Sequence, residues 1–179
     1  MNLTYRILLT FNATSLIIVV FLIKEEITLN SLCNDFQCLP HYVSYVIYFL
    51  APVILTYLSL LISKFLGTAN ISKGSILEVE NANNAFLPSY LGYFFVALSV
   101  NNEETLIFVF IILFIFTFLS QTLYFNPLFL IFRYHFYNVT TNNKAKLFII
   151  SKNQITKVDD IEFPILKRVN NFTFIDKSK

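Results

Sequence analysis

The chain has 179 residues, 56% hydrophobic and 13% charged, with 21 phenylalanines and a formal net charge of +2. Soluble domains are usually about 45–50% apolar and about 25% charged. The composition therefore excludes an ordinary soluble protein over most of the length and indicates an integral membrane protein; residues 134–179, which hold half of the charged residues, are the exception.

The first apolar stretch, residues 7–23 (ILLTFNATSLIIVVFLI), follows Arg6 and stops at Lys24-Glu25-Glu26. It has no small-x-small cleavage pattern at its edge, so it reads as a retained spanning helix and not as a removed signal peptide. Asn12 stands in its middle. The loop after it, 24–42, carries both cysteines as CNDFQC, Cys33 and Cys38. A four-residue spacer lets a disulfide close if the loop faces an oxidising compartment. Two reduced thiols near the membrane surface are the alternative. With His41 alone nearby, the ligand set falls short of a structural metal site.

The second span is 43–63 (VSYVIYFLAPVILTYLSLLIS), with Pro52, Thr56, Tyr57 and Ser59 inside it. The loop 64–85 contains Gly67, Gly74 and the alternating run Leu77-Glu78-Val79-Glu80, which suggests a short strand. The third span, about 84–100, is short and must recruit the residues before Phe86 or thin the bilayer locally. The fourth, 106–132, contains Gln121, Asn126 and Pro127, and Asn126-Pro127 marks a kink beyond which the chain leaves the bilayer. Asn12, Gln121 and Asn126 either bond between helices or line a polar seam around a cavity. No Asp, Glu, Lys or Arg lies mid-span, which argues against a proton pump or secondary transporter.

After Arg133 the period changes to two. Tyr134, Phe136 and Asn138 alternate with His135, Tyr137 and Val139; TTNNK at 140–144 is turn chemistry; 145–150 reads as a returning strand. Residues 171–175 make a third strand, and Pro164 breaks the segment between. The expected fold is an all-α four-helix transmembrane protein (residues 1–133) with a small cytoplasmic β-rich C-terminal segment (134–179), α+β overall.

Basic residues in short loops mark the cytoplasmic side. Putting both termini inside places all lysines and arginines but Lys24 on that side. Arg133, His135, Lys144, Lys146, Lys152, Lys157 and Arg168 are the candidate contacts to a partner or to anionic lipid. The charges are scattered, so no direct nucleic-acid contact is expected. No catalytic motif or cofactor signature is present, and an enzyme is not expected.

Four spans, a cysteine-bearing outer loop, the entry Ala85-Phe86-Leu87-Pro88-Ser89-Tyr90-Leu91-Gly92-Tyr93, and the exit from Asn126-Pro127 through Arg133-Tyr134-His135-Phe136-Tyr137 into a strand resemble the KwaA family. That family is the membrane subunit of the bacterial Kiwa anti-phage system. The resemblance covers nearly the whole chain, in layout more than in any single motif. It implies a homo-oligomer, a tetramer, in the inner membrane. It further implies sensing of phage attack at the envelope and a cytoplasmic partner, KwaB, that acts on DNA and docks on the small sheet. A bacteriocin or superinfection immunity protein and a small channel or transporter subunit are the competing classes.

Overall fold

A computed structural model describes residues 2–29, 40–85, 87–120, 126–155 and 161–178. Helix α1 runs Asn2–Lys24 and α2 His41–Ile62, the latter ending in a 3-10 turn, Ser63–Phe65. Strands β1, Thr68–Ile71, and β2, Ile76–Asn81, precede α3, Leu87–Ser99, and α4, Glu103–Ser120. A one-turn helix α5, Leu128–Ile131, leads into β3, His135–Thr141, and β4, Lys146–Ser151. Strands β5, Phe163–Arg168, and β6, Thr173–Asp176, complete the sheet.

Two parts of the expected fold are corrected. Among the described residues there are five helices, of which three (α1, α2 and α4) are long and apolar enough to cross a membrane. Helix α3 has 13 residues, about 20 Å at 1.5 Å per residue, and falls short of the roughly 17–25 residues a span needs. The β part is a six-stranded mixed sheet and not a three-stranded C-terminal segment, because the 64–85 loop supplies two of its strands and the segment around Pro164 a third. An all-α four-helix description therefore does not hold.

Helix α1 is the centre of the bundle. Its mid-section, Thr10, Asn12, Ala13, Thr14 and Ser15, is small and buried, and small residues let helix backbones approach closely without a bulky ridge between them. Tyr5 donates its hydroxyl hydrogen to Ser59 O of α2 at 3.1 Å. Tyr90 of α3 donates to Ala13 O at 2.8 Å. Arg6 donates to Phe118 O of α4 at 3.2 Å, with its guanidinium 4.8 Å from the Phe118 ring centroid. At the other end Lys24 donates to Val100 O, capping the end of α3. These pairs set the helices alternately up and down. Ala82 packs with Tyr5 and Leu60, and Val100 packs with Phe21, so the segment 82–100 runs beside most of α1.

The strand order is β1-β5-β6-β4-β3-β2, parallel only between β4 and β6. The two outermost strands are consecutive in sequence, joined by residues 72–75 alone. In a flat sheet they would lie about 24 Å apart, five gaps of roughly 4.8 Å. The connection spans at most about 18 Å. The sheet must therefore curl on itself. Gly74, with φ +79°, makes the closing turn, and Asn142 of the β3–β4 turn bonds across to Ser75 O and Gly74 O at 3.0 and 2.7 Å.

The alternation of side chains then makes two cores. Ile76, Tyr137, Val139, Ile149, Phe163, Leu166 and Phe174 fill the inside of the curl. Phe136, Phe148, Ile150 and Ile175 point the other way and pack with Tyr5, Leu9, Leu60 and Phe129. The second cluster joins sheet to helices.

Candidate functional site at the helix–sheet junction

The junction is built by one short stretch, Asn126 to Tyr134. Asn126 Oδ1 accepts from Leu128 N at 3.0 Å and starts α5. The helix ends at once in a Schellman motif: Tyr134 N donates to Phe129 O at 3.0 Å and Arg133 N to Leu130 O at 2.9 Å. Arg133 takes the left-handed position, φ +60°, where glycine is the usual residue. The accompanying apolar contact is Phe129 on Tyr134, edge to face at 6.4 Å, and Phe129 also meets Phe136 at 6.1 Å. This sharp reversal turns the chain from helix into β3.

Tyr134 is the hub of a polar cluster here. Lys177 donates to its hydroxyl at 3.1 Å and to Leu60 O, near the end of α2, at 3.2 Å. The Lys177 and Lys152 ammonium groups stand 5.2 and 5.1 Å from the Tyr134 ring centroid. Asp176 is held by neutral donors: Ser151 at 2.6 Å, Ser178 N at 2.8 Å and Ser178 Oγ at 2.5 Å. Burial first, then the Lys152 and Lys64 charges, push the Lys177 ammonium down to about 8, with Asp176 opposing them. Burial also raises the Tyr134 hydroxyl, and the Asp176 charge adds to the rise.

A second polar group lies inside the bundle. Asn12 donates to Thr56 Oγ1 at 2.7 Å, and Asn126 reaches the same oxygen at 3.4 Å. Thr56 in turn donates to Pro52 O at 2.8 Å. All three side chains are buried. Among the described residues Asn12 Oδ1 has no partner.

The remaining candidates are dispersed. Arg133 is exposed beside the junction, while His135 Nδ1 pairs with Asn83 Nδ2 at 3.0 Å at the start of β3. Lys144, φ +61°, sits in the β3–β4 turn. Lys146 lines a surface groove with Glu78, Glu80 and Phe172. Arg168 bonds to Asn170 O and Asn171 Oδ1 at 3.3 and 2.8 Å. Cys33, Cys38, Gln121 and Lys157 lie outside the described residues. Sequence reading overlooked Lys64, Tyr134, Asp176 and Lys177 as a group. No local signal could have joined them, since Lys177 and its acceptor Leu60 are 117 positions apart.

No curated protein and no solved structure matches the chain. Residues 5–175 match the family described as anti-phage protein KwaA. With a match over nearly its whole length, the chain belongs to the KwaA family of anti-phage defence proteins.

Proposed function

We propose that this anti-phage protein is a membrane-resident sensor and anchor. In this reading its helices cross the inner membrane, both ends of the chain and the sheet face the cytoplasm, and the sheet holds a soluble effector partner at the membrane. The core shared by sheet and helices carries the proposal. A rigid connection lets a disturbance of the helices reach a protein docked on the sheet. Charge supports the orientation: among the described lysines and arginines Lys24 alone lies at the end away from the sheet. The passage of 82–100 beside α1 supports a fourth crossing in which residues before α3 make up its missing length. Asn12 of α1 and Asn126, just before α5, both bond to Thr56 of α2, which favours a tie between the elements over a pore lining. The apolar outward faces of α2 and α4, with Phe49, Ile54, Phe108 and Phe116 exposed, fit lipid and further copies of the chain in a tetramer.

The test pairs topology with protection. A fluorescent protein fused after Lys179 should light up and a phosphatase fused there should stay silent. Lys146→Glu with Arg168→Glu, both on the exposed sheet surface, should lower phage protection in a strain carrying the whole system while membrane levels stay normal. An active phosphatase would refute the orientation, and full protection by the double variant would remove these side chains from the docking surface.

A further inference from the structure

We propose that Lys152 and Lys177, both against the Tyr134 ring, together with Lys64, one turn beyond the Lys177 acceptor Leu60, bind a phosphate group, and that an anionic phospholipid supplies it. Lys177 uses two of its three ammonium hydrogens on Leu60 O and the Tyr134 hydroxyl, leaving one for a ligand. Lys152 lies against the same ring, 5.1 Å from its centroid, and makes no ion pair among the described residues. Lys64 stands one turn beyond Leu60, in the 3-10 turn that ends α2, close enough to depress the Lys177 pKa. Among the described residues Asp176 is the carboxylate that acts on Lys177; its oxygens are taken up by serine and backbone donors, and its one negative charge offsets only part of the three positive ones. Among the described residues the one ion pair is Lys24 with Glu25, at the far end of the bundle. Three like charges held together repel one another, and an anion between them relieves that repulsion.

The neighbourhood selects the source of the phosphate. Beside the lysines, Ile62, Phe65 and Ile131 are 42%, 73% and 56% exposed. A free phosphate ion would leave this apolar surface in water. A phospholipid covers both parts at once, its phosphate on the lysines and its acyl chains along Phe65, Ile62 and the outward face of α2. The cluster thereby fixes the height and tilt of the sheet against the membrane. Assignment to the cytoplasmic leaflet rests on the proposed orientation; the binding does not.

The full chain would be purified in detergent, mixed with equal phosphatidylglycerol and phosphatidylcholine, and its retained lipid counted by native mass spectrometry. Wild type should keep phosphatidylglycerol selectively. Lys64→Gln with Lys152→Gln, both at exposed positions, should weaken that retention about thirtyfold, roughly fivefold per lysine. Lys144→Gln with Lys146→Gln removes the same charge elsewhere and should retain lipid as wild type does. Unchanged retention by the first pair, or equal loss by the second, would overturn the site. Displacement of phosphatidylglycerol by inorganic phosphate at comparable concentration would overturn the lipid as its source. Detergent solution has no sides, so the result is independent of the reporter fusions.

Discussion

Phe129 is the side chain on which the union of helices and sheet can be tested most directly. It has no exposed surface, and it meets Tyr134 and Phe136 at 6.4 and 6.1 Å. Truncating a buried Phe to Ala usually costs about 3–5 kcal/mol, of which each aromatic pair supplies about 0.5–1.5 kcal/mol. At one power of ten per roughly 1.4 kcal/mol, Phe129→Ala should raise the opened fraction of the sheet about a hundredfold to several thousandfold. The assay is the rate at which a protease cuts the sheet strands of detergent-solubilised protein, which follows the opened population when reclosing is fast. Phe172→Ala is the control: that ring is 49% exposed, and its loss should change stability by about 0.5 kcal/mol or less. Cleavage of Phe129→Ala within tenfold of wild type would show that sheet and helices are separately stable bodies. The shared-core argument, and with it the proposed signalling route, would then fall.

Thr56→Val should destabilise the bundle by about 1–2 kcal/mol, because it strips Asn12 of the Thr56 hydroxyl as acceptor; combined with Asn12→Leu the losses should be less than additive, and strict additivity in thermal unfolding would deny the contact. Arg133→Gly should raise stability by about 1 kcal/mol, since it removes the left-handed penalty at φ +60°; a fall in melting temperature would mean the Arg133 side chain is itself holding the junction. Lys177, faced by Lys152, Lys64, Asp176 and Tyr134, should react with amine reagents with a midpoint near pH 8. Between that pH and the ordinary lysine value the unfolded chain keeps a proton the folded one has lost, so stability rises with pH there. Lys177→Met should flatten that rise. Tyr134 works the opposite way: its raised pKa keeps it protonated when folded, so stability declines above about pH 10. The disulfide expected between Cys33 and Cys38 is open to test: under the proposed orientation an impermeant maleimide should label intact cells only after reduction, and labelling without reduction would exclude the pair.

The stretch 126–151 was the most legible part of the sequence. The switch from apolar run to alternation at Tyr134 placed β3 and β4 closely, and the two faces it implied are the two cores: Phe136 toward the helices, Tyr137 and Val139 into the curl. Strand β2 announced itself through Leu77-Glu78-Val79-Glu80. Two strands gave no such sign. The four residues of β1 are too few for periodicity to register. Strand β5 contains Pro164, which reads as a breaker; it is tolerated because it faces the irregularity between Ala69 and Ile71, where no ladder bond is needed. The lysine cluster was illegible for a different reason. It is assembled from α2's end, β4's end and the residue after β6, and only the completed sheet brings those together.

The pairing of β2 with β3 also imposes an order on biogenesis. These strands are neighbours in the sheet, yet the whole α3–α4 hairpin separates them in the chain. While the ribosome is still producing the later strands, β1 and β2 wait at the membrane surface with no mates. Under the proposed topology they can be matched only after that hairpin has been inserted and its second leg has returned to the starting side. A hairpin stalled halfway would strand β3 across the bilayer from β2, leaving an open ladder edge for proteases to find. Under the proposed topology, closure of the sheet would thus depend on correct membrane threading, and only correctly threaded copies would present a complete surface.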